Sequence, residues 1–390
     1  MVRLNGSMLT GHLFDCQIGN YLYQKAAGYS SLADDAQPIT LESTWFIASC
    51  TKVVTAIAVL QCVERGLITL DEPIDKWLPE LAAQPVISVN EGEDKNTKPL
   101  LSSTPKTKIT LRQLLTHSSG AAIDMIPNPA MQIWLKIQKK SPGFFNPNLL
   151  ESIDRPLVFE PGTQWMYGPG HEWAGLLISR LNGNISLEKH FEQNIYQPLK
   201  LTSTTFHLDQ KPQVREKLVA MTARTAEGGL QPAVSPFPDP SEAKGGGGLY
   251  TSVRDYMAIL ADIIKDSPVL LKKESADLLF SPQLAPDSGP VDHMYKNDIH
   301  FSTSTGGSVR AMGVKINHGL GGVLYEDYVP SSGSPPGTIG WGGIPNSLWW
   351  ANRNTGVAGF IVYAHLPSAD QKATQLSLQF QKAFWKLVQR

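Results

Sequence analysis

The chain has 390 residues, and its composition already narrows what the protein can be. Lysine and arginine number 34 against 35 aspartate and glutamate, a balance that argues against a protein that binds nucleic acid or another polyanion. Hydrophobic residues make up 42% of the chain and charged residues 18%, which excludes bulk disorder. This length is typical of two or three domain-sized units or of one large α/β domain.

The cysteines and the apolar stretches bear on the compartment. Cys16, Cys50 and Cys62 offer neither a disulfide framework nor the spacing of a metal site, so we expect a reducing compartment and no metal. No long apolar run near the N-terminus indicates a secretory signal, and the most apolar stretch, residues 53–60, is too short to span a membrane. We therefore expect a cytoplasmic protein without a membrane or nucleic-acid partner.

The first elements predicted along the chain are a hairpin and a buried helix. Residues 13–28 carry strand-like pieces on either side of a turn at 15–20. Over residues 51–65, apolar side chains cover almost the whole circumference of a helix, which is typical of a buried helix. Gly66 fits the position just past the end of this helix.

The middle of the chain is predicted to form short helices and loops. Thr110 and Gln113 form a capping-box pattern that begins a short helix, and Ser252 is the expected N-cap of a helix that Pro268 ends. Two more helices are predicted over residues 173–181 and 186–196. Polar, proline-containing stretches without periodicity are predicted as loops over residues 91–108 and 224–244.

From Gly319 onward the pattern changes to strands separated by Gly, Pro and Asn turns. The predicted strands and final helix are 324–325, 338–343, 347–351, 357–365 and 376–388. Strands at both ends and helices in the middle predict an α+β fold, in which the first strands join the last ones in one antiparallel sheet. We expect one domain over residues 10–388, with an α/β lobe from about 10–75 and 300–388 and a helical lobe from about 76–299.

Several common catalytic motifs are absent from the sequence. There is no G-x-S-x-G, so the nucleophile elbow of the α/β-hydrolases is missing. His171-Glu172 lacks the second histidine of a zinc motif, and the glycines at 245–248 are not followed by the Lys-Ser or Lys-Thr of a phosphate-binding loop. A dinucleotide-binding strand–GxGxxG–helix unit is also missing.

The remaining candidate is Ser49-Cys50-Thr51-Lys52, at the start of the buried helix. Its S-x-x-K spacing places Ser49 and Lys52 on one helical face, beside the positive end of the helix dipole. A lysine packed against a buried helix loses solvation, which favours its neutral form and can help to activate a serine. On the motif alone, a Ser N-cap followed by an exposed lysine remains the alternative. Cys50 lies one position off this face and is interpreted as a core thiol.

Several segments in the same order resemble one known superfamily. They are 47–52, 61–67, 70–73, 114–120, 165–168, 173–175, 245–250 and 341–343. Together they resemble the serine β-lactamases and penicillin-binding proteins, and more closely the class C-like esterases and the fungal acyltransferases of lovastatin type. The resemblance extends from about residue 11 to the terminal helix. Members of this superfamily usually carry a helix before the first strand, where this chain has only about ten residues, so we expect the terminal helix to lack that neighbour.

The resemblance implies roles for individual residues. Ser49 would be the nucleophile, and Tyr167, beside the cationic Lys52, would take its proton although a phenol is ordinarily a poor base. The N–H groups of Ser49 and Ile344 would form the oxyanion hole, and Gly342 and Gly343 would let substrate approach the strand closely.

Two departures from the superfamily pattern argue against β-lactam or peptidoglycan chemistry. Trp341 stands where β-lactamases carry a lysine that helps to hold the substrate carboxylate, and it offers an apolar face instead. Pro169 replaces an amide of the tyrosine motif. Core packing remains the alternative for Trp341, and it is the preferred interpretation for Trp349 and Trp350.

Two histidines near these motifs receive no catalytic role. His117 is expected to bond local backbone in a tight turn. His171 could line the site, although it has no metal partner.

The sequence therefore predicts a serine acyltransferase that passes an acyl group from a thioester or ester to a hydroxyl of a small, largely apolar metabolite. An acyl-carrier protein of a polyketide synthase is a candidate donor partner, and no cofactor is expected. The alternatives are a carboxylesterase with the same site, a β-lactamase or penicillin-binding protein, and an inactive scaffold, which the presence of Ser49, Lys52 and Tyr167 disfavours.

Overall fold

The structure is a computed structural model that describes residues 9–15, 20–89, 100–235 and 242–388. Its strands are β1 Leu9–Asp15, β2 Asn20–Ala27, β3 Thr44–Phe46, β4 Val86–Val89, β5 Leu100–Ser103, β6 Thr222–Arg224, β7 Leu230–Pro232, β8 Tyr250–Ser252, β9 Ile316–His318, β10 Val323–Tyr325, β11 Thr338–Gly342, β12 Leu348–Asn352, β13 Val357–Val362 and β14 His365–Leu366.

Helices occupy most of the chain between β3 and β9. They are α1 Thr51–Glu64, α2 Pro79–Ala82, α3 Leu111–Leu115, α4 Pro129–Ile137, α5 Leu149–Ile153, α6 Gly170–Leu181, α7 Leu187–Phe191, α8 Gln197–Leu199, α9 Pro212–Arg215, α10 Val253–Ile263, α11 Lys273–Leu279, α12 Gly289–Lys296 and α13 Ser302–Thr305, with α14 Gln371–Val388 after the last strand. A 3₁₀ turn, Ala48–Cys50, precedes α1, and a π-helical turn, Glu192–Tyr196, joins α7 to α8.

The largest sheet combines the two ends of the chain. Its strand order is β2-β1-β13-β12-β11-β10-β9, and every neighbouring pair is antiparallel. The predicted α+β fold and the predicted joining of first and last strands are confirmed.

The two faces of this sheet are covered by different helices, because successive side chains on a strand point to opposite faces. Trp350 and Ile361 belong to the apolar cluster that contains Phe384 of α14. On the other face, Phe360 of β13 packs against Tyr256 of α10, with ring centroids 4.3 Å apart. The sheet is therefore buried between α14 and the helical part of the chain, and Trp349 and Trp350 are core residues as predicted.

The predicted helix starts and stops agree with the structure where a capping residue marks them. Thr110 caps α3 with a complete capping box, Ser252 caps α10, and Gly66 has a φ of +70° just beyond α1. Elements without such a signal differ from the prediction. Leu100–Ser103, predicted as loop, pairs with β4, and part of the predicted loop 224–244 forms β7. The helices predicted at 173 and 376 begin earlier, at Gly170 and Gln371.

Some predictions fall on residues that the structure does not describe. Cys16, the tip of the first hairpin, residues 91–99 of the predicted loop and the segment before β1 lie outside the described residues. The division into an α/β lobe and a helical lobe stays a prediction. Within the described residues, no helix combines the length and the apolar character needed to cross a lipid bilayer.

Candidate active site

Ser49 is presented by a constrained turn between β3 and α1. The Ile47 N–H donates to the Leu249 carbonyl at 3.1 Å, which ties the end of β3 to the segment before β8. Ala48 follows with a φ of +44°, a conformation that is strained for a residue with a Cβ. The Thr51 hydroxyl donates to the Ala48 carbonyl at 2.6 Å and so stabilises this conformation. The turn places Ser49 just before a helix whose residues from Thr51 to Leu60 are all buried.

The structure brings Ser49, Lys52 and Tyr167 together. The Ser49 Oγ lies 2.5 Å from the Tyr167 hydroxyl, and the Lys52 Nζ donates to the Ser49 Oγ at 3.3 Å. Lys52 is 3% exposed, and its Nζ also donates to the Gly246 carbonyl at 2.6 Å. The same Nζ lies 4.8 Å from the centroid of the Tyr167 ring. The Tyr167 hydroxyl is therefore placed to accept the serine proton, with the Lys52 amine beside both oxygens.

Tyr167 is held by contacts with the aromatic rings of Trp341, His117 and His300. Its ring stacks on Trp341, with centroids 5.5 Å apart and planes at 27°, and lies 4.9 Å from His117. The His117 Nδ1 accepts a hydrogen bond from the Gly168 N–H at 3.2 Å, directly after Tyr167 in the chain. The expectation that His117 bonds local backbone is wrong, since its partner lies 51 positions away.

His117 sits in a group of buried imidazoles beneath the site. Burial is the main reason that the pKa values of His117 and His171 lie well below the ordinary value, and burial lowers the pKa of His318 to about 4. A neutral imidazole that accepts at Nδ1 carries its proton on Nε2, which fixes the tautomer of His117. His171 is completely buried and is not among the described residues that line the cavity beside Ser49.

The end of β11 approaches the serine turn closely. The Gly343 N–H donates to the Ser347 carbonyl at 2.7 Å, and a Cβ at Gly343 would overlap the Ile47 carbonyl oxygen. This approach requires glycine. It places Ile344 at the same cavity as Ser49, and within the described part of the chain the Ile344 N–H donates to no other atom. That N–H is therefore available to a ligand in the cavity.

Cys50 is not among the described residues that line this cavity. It is completely buried, and burial raises the pKa of its thiol far above the ordinary range, so the nucleophilic thiolate is disfavoured. Its backbone carbonyl accepts a hydrogen bond from the Tyr256 hydroxyl at 2.8 Å, which helps to anchor the start of α1.

A cavity of about 460 Å³ opens above the Ser49–Lys52–Tyr167 group. Trp341, Gly342, Gly343 and Ile344 belong to its lining. The lining also includes an apolar wall, which consists of Ile123, Met125, Ile126, Phe144 and Phe145. A cavity of this size and character suits a small, largely apolar ligand.

A buried ion pair supports the apolar wall. Asp124 accepts hydrogen bonds from the N–H groups of Gly143 and Phe144, at 2.8 and 3.3 Å, and pairs with Arg155 at 2.9 Å. The two loops that supply the apolar side chains are thereby joined to each other.

Sequence reasoning missed His117, Gly246 and the apolar wall as parts of the site. Gly246 lies in the glycine run that resembled the superfamily, but its role as the acceptor for Lys52 depends on a contact across 194 positions. No local pattern marks the residues of the apolar wall. Among the described residues, no three His, Cys, Asp or Glu side chains are arranged to hold a metal ion.

Comparison with known proteins assigns the family. The β-lactamase family model matches residues 8–382. The chain is 39% identical over 373 residues to the acyltransferase calJ of Penicillium decumbens, covering 94% of this chain and 87% of that protein. It is 32% identical to a lovastatin esterase of Penicillium rubens, covering 92% of this chain and 88% of that protein.

A solved structure supports the same family assignment. The simvastatin synthase LovD of Aspergillus terreus superposes with a TM-score of 0.86 at 29% identity, covering 98% of this chain and 95% of that chain. By name, these relatives are an acyltransferase, an esterase and a synthase. The chain belongs to the β-lactamase family, and its relatives include the fungal acyltransferases of lovastatin type.

Proposed function

We propose that this protein is a serine acyltransferase that forms an acyl-enzyme on Ser49 and passes the acyl group to a hydroxyl of a small, largely apolar metabolite of secondary metabolism. The observation that carries the proposal is the 2.5 Å contact between the Ser49 and Tyr167 hydroxyls beside the buried Lys52, at the floor of an apolar cavity. The acyltransferases and the esterase among its relatives support the same chemistry.

The first half of the reaction loads the enzyme. The Ser49 Oγ attacks the carbonyl carbon of an acyl thioester or ester while the Tyr167 oxygen takes the serine proton. The N–H groups of Ser49 and Ile344 bind the oxyanion of the tetrahedral intermediate. When the intermediate collapses, the thiol or alcohol leaves with the proton held by Tyr167, and the acyl group remains on Ser49.

The second half transfers the acyl group. The acceptor hydroxyl gives its proton to Tyr167 and attacks the acyl carbonyl, which forms the new ester and returns the proton to Ser49. The apolar wall formed by residues such as Phe144 and Ile123 supports this half, because exclusion of water favours an alcohol over hydrolysis. An acyl-carrier protein as the donor partner and a cytoplasmic location stay predictions.

A carboxylesterase that uses water as the acceptor is the second candidate, and the similarity to the lovastatin esterase favours it. A β-lactamase or penicillin-binding activity is disfavoured by Trp341, whose indole lines the cavity.

Intact-mass analysis with a panel of acyl thioesters and aryl esters tests the common first half. We expect a mass increase of one acyl group that maps to Ser49. Titration of an alcohol then separates the two candidates. Ester that rises with alcohol at the expense of free acid supports the transferase, whereas free acid that is unaffected by any alcohol supports the esterase.

A further inference from the structure

Glu172 is a buried carboxylate that takes no part in the proposed acyl transfer. It is 2% exposed, and one of its oxygens, Oε2, is buried without a hydrogen-bond partner in the described part of the chain. Leaving such an oxygen unpaired is costly, because a buried carboxylate has lost its hydration. Glu172 is also the one acidic side chain among the described residues that line the cavity beside Ser49.

The surrounding structure holds this carboxylate in place. Glu172 lies in the first turn of α6, where the helix dipole favours a negative charge. Its carboxyl group packs directly against Gly246, and a Cβ at that position would overlap both carboxylate oxygens. Gly246 is the residue whose carbonyl binds Lys52. The carboxylate therefore occupies a space that only a glycine leaves open, next to the reacting groups.

A buried cation that attracts Glu172 forms no ion pair with it among the described residues. Lys244 is 5% exposed, and its ammonium is occupied by the carbonyls of Phe144 and Asn146, at 3.1 and 2.6 Å. Burial lowers the pKa of Lys244, and attraction to Glu172 partly offsets this shift. The positive charge of Lys244 therefore stabilises the Glu172 carboxylate, and the Glu172 Oε2 can still accept a hydrogen bond.

We propose that Glu172 accepts a hydrogen bond from a second hydroxyl group of the alcohol acceptor, so that the enzyme selects diols and polyols over simple alcohols. The proposal rests on the acyl transfer proposed above. The reacting hydroxyl must reach Tyr167 and the Ser49 acyl group, so Glu172 is left to bind another donor on the same molecule. A carboxylate is an acceptor only, which suits a hydroxyl and disfavours a second carboxylate.

The test uses acceptors that differ by one hydroxyl group. The acyl donor is p-nitrophenyl butyrate, and the acceptors are 1-octanol and the 1,2-, 1,3- and 1,4-octanediols. Glu172→Met removes the acceptor oxygens, whereas Glu172→Gln keeps one. The control is Glu188→Gln, because Glu188 is a buried carboxylate outside the cavity whose oxygens are bound by the Thr205 hydroxyl and the Phe206 N–H.

We expect the wild type to show a KM at least about tenfold lower for one of the diols than for 1-octanol, the scale of a hydrogen bond to a charged group. Glu172→Met should lose this ratio, Glu172→Gln should keep part of it, and Glu188→Gln should keep all of it. Equal KM values for octanol and every diol in the wild type would overturn the proposal, as would a diol preference that survives in Glu172→Met.

Thermal unfolding without substrate separates a ligand-binding role from a structural one. Replacing an unpartnered buried carboxylate by Met should leave Tm unchanged or raise it, whereas Glu188→Gln removes one of two oxygens that accept hydrogen bonds and should lower it. A Tm loss in Glu172→Met as large as in Glu188→Gln would contradict the proposal. A diol-specific rise in the Tm of the wild type reports binding without turnover. If no acyl-enzyme forms but this rise is present and Glu172→Met abolishes it, the acyl-transfer proposal fails while the Glu172 subsite stands.

Discussion

The hydroxyl oxygens of Ser49 and Tyr167 lie 2.5 Å apart, although 118 positions of the chain separate the two residues. A contact this short is typical of a strong hydrogen bond between hydroxyls, and it provides a direct path for the serine proton. The Lys52 ammonium touches the same serine oxygen and faces the same tyrosine ring, so one cation acts on both partners.

Substitution of Ser49 by alanine should abolish both the acyl adduct and turnover, because the proposed mechanism has no other attacking group. The neighbouring Cys50→Ala is the matched control and should retain most of the activity, since the Cys50 side chain is completely buried. The measurement is intact mass after incubation with an acyl thioester, together with ester turnover. Persistent turnover in Ser49→Ala, with a folded but inactive Cys50→Ala, would contradict the assignment of the nucleophile.

Tyr167→Phe should fold normally and reduce the rate of acylation by about 100-fold or more, the usual scale for the loss of a general base. Lys52→Ala should be comparably damaging, because it removes the amine that donates to the Ser49 oxygen and faces the Tyr167 ring. Stopped-flow release of p-nitrophenol measures the acylation step, and circular dichroism checks the fold. Acylation near the wild-type rate in Tyr167→Phe would leave Lys52 as the base.

The reactive pair of Ser49 and Lys52 could be predicted from sequence because both residues lie on one helical turn. The sheet could be predicted because apolar segments at both chain ends were bounded by turn residues. Contacts between residues that are far apart in the sequence leave no such local pattern. His117 supports the segment of Tyr167, and Gly246 binds Lys52, but no local sequence pattern marks either contact. Strand β5 was missed because its residues stand in a polar, proline-containing segment and form a strand only by pairing with β4.

Gly343→Ala should reduce acylation strongly while the protein remains folded. A Cβ at this position would overlap the Ile47 carbonyl oxygen, and the strand end that carries Ile344 would have to move away from the serine turn. Loss of one oxyanion donor lowers the catalytic rate by about 100-fold to 1000-fold. The control is Gly307→Ala, because a Cβ at Gly307 would meet no heavy atom of the described residues within 4 Å. Full activity in Gly343→Ala would argue against the Ile344 N–H as an oxyanion donor.

The stability of the protein should fall as the pH decreases from about 6.5 towards 4. Burial lowers the pKa of His318 to about 4, whereas an unfolded histidine titrates near 6.5. Between these values the unfolded chain binds a proton that the folded protein does not, so acidification favours unfolding. This difference in pKa lowers the free energy of unfolding by about 3 kcal/mol at most. Urea unfolding at several pH values should show a shallower decline in His318→Gln, and identical declines in both proteins would contradict this account.

The cavity should discriminate against β-lactams. The Trp341 ring lines it where a β-lactamase would carry a cation, so the carboxylate of a penicillin or cephalosporin would face an indole. An unpaired, desolvated carboxylate costs several kcal/mol. An uncharged aryl ester avoids this cost and gains contact with the indole and with the apolar wall around Phe144.

We therefore expect p-nitrophenyl butyrate to be turned over with a kcat/KM at least about 100-fold above that for nitrocefin. Nitrocefin hydrolysis faster than ester turnover would contradict both the acyltransferase and the esterase assignments. It would show that the site binds the carboxylate of a β-lactam favourably although Trp341 offers no charge.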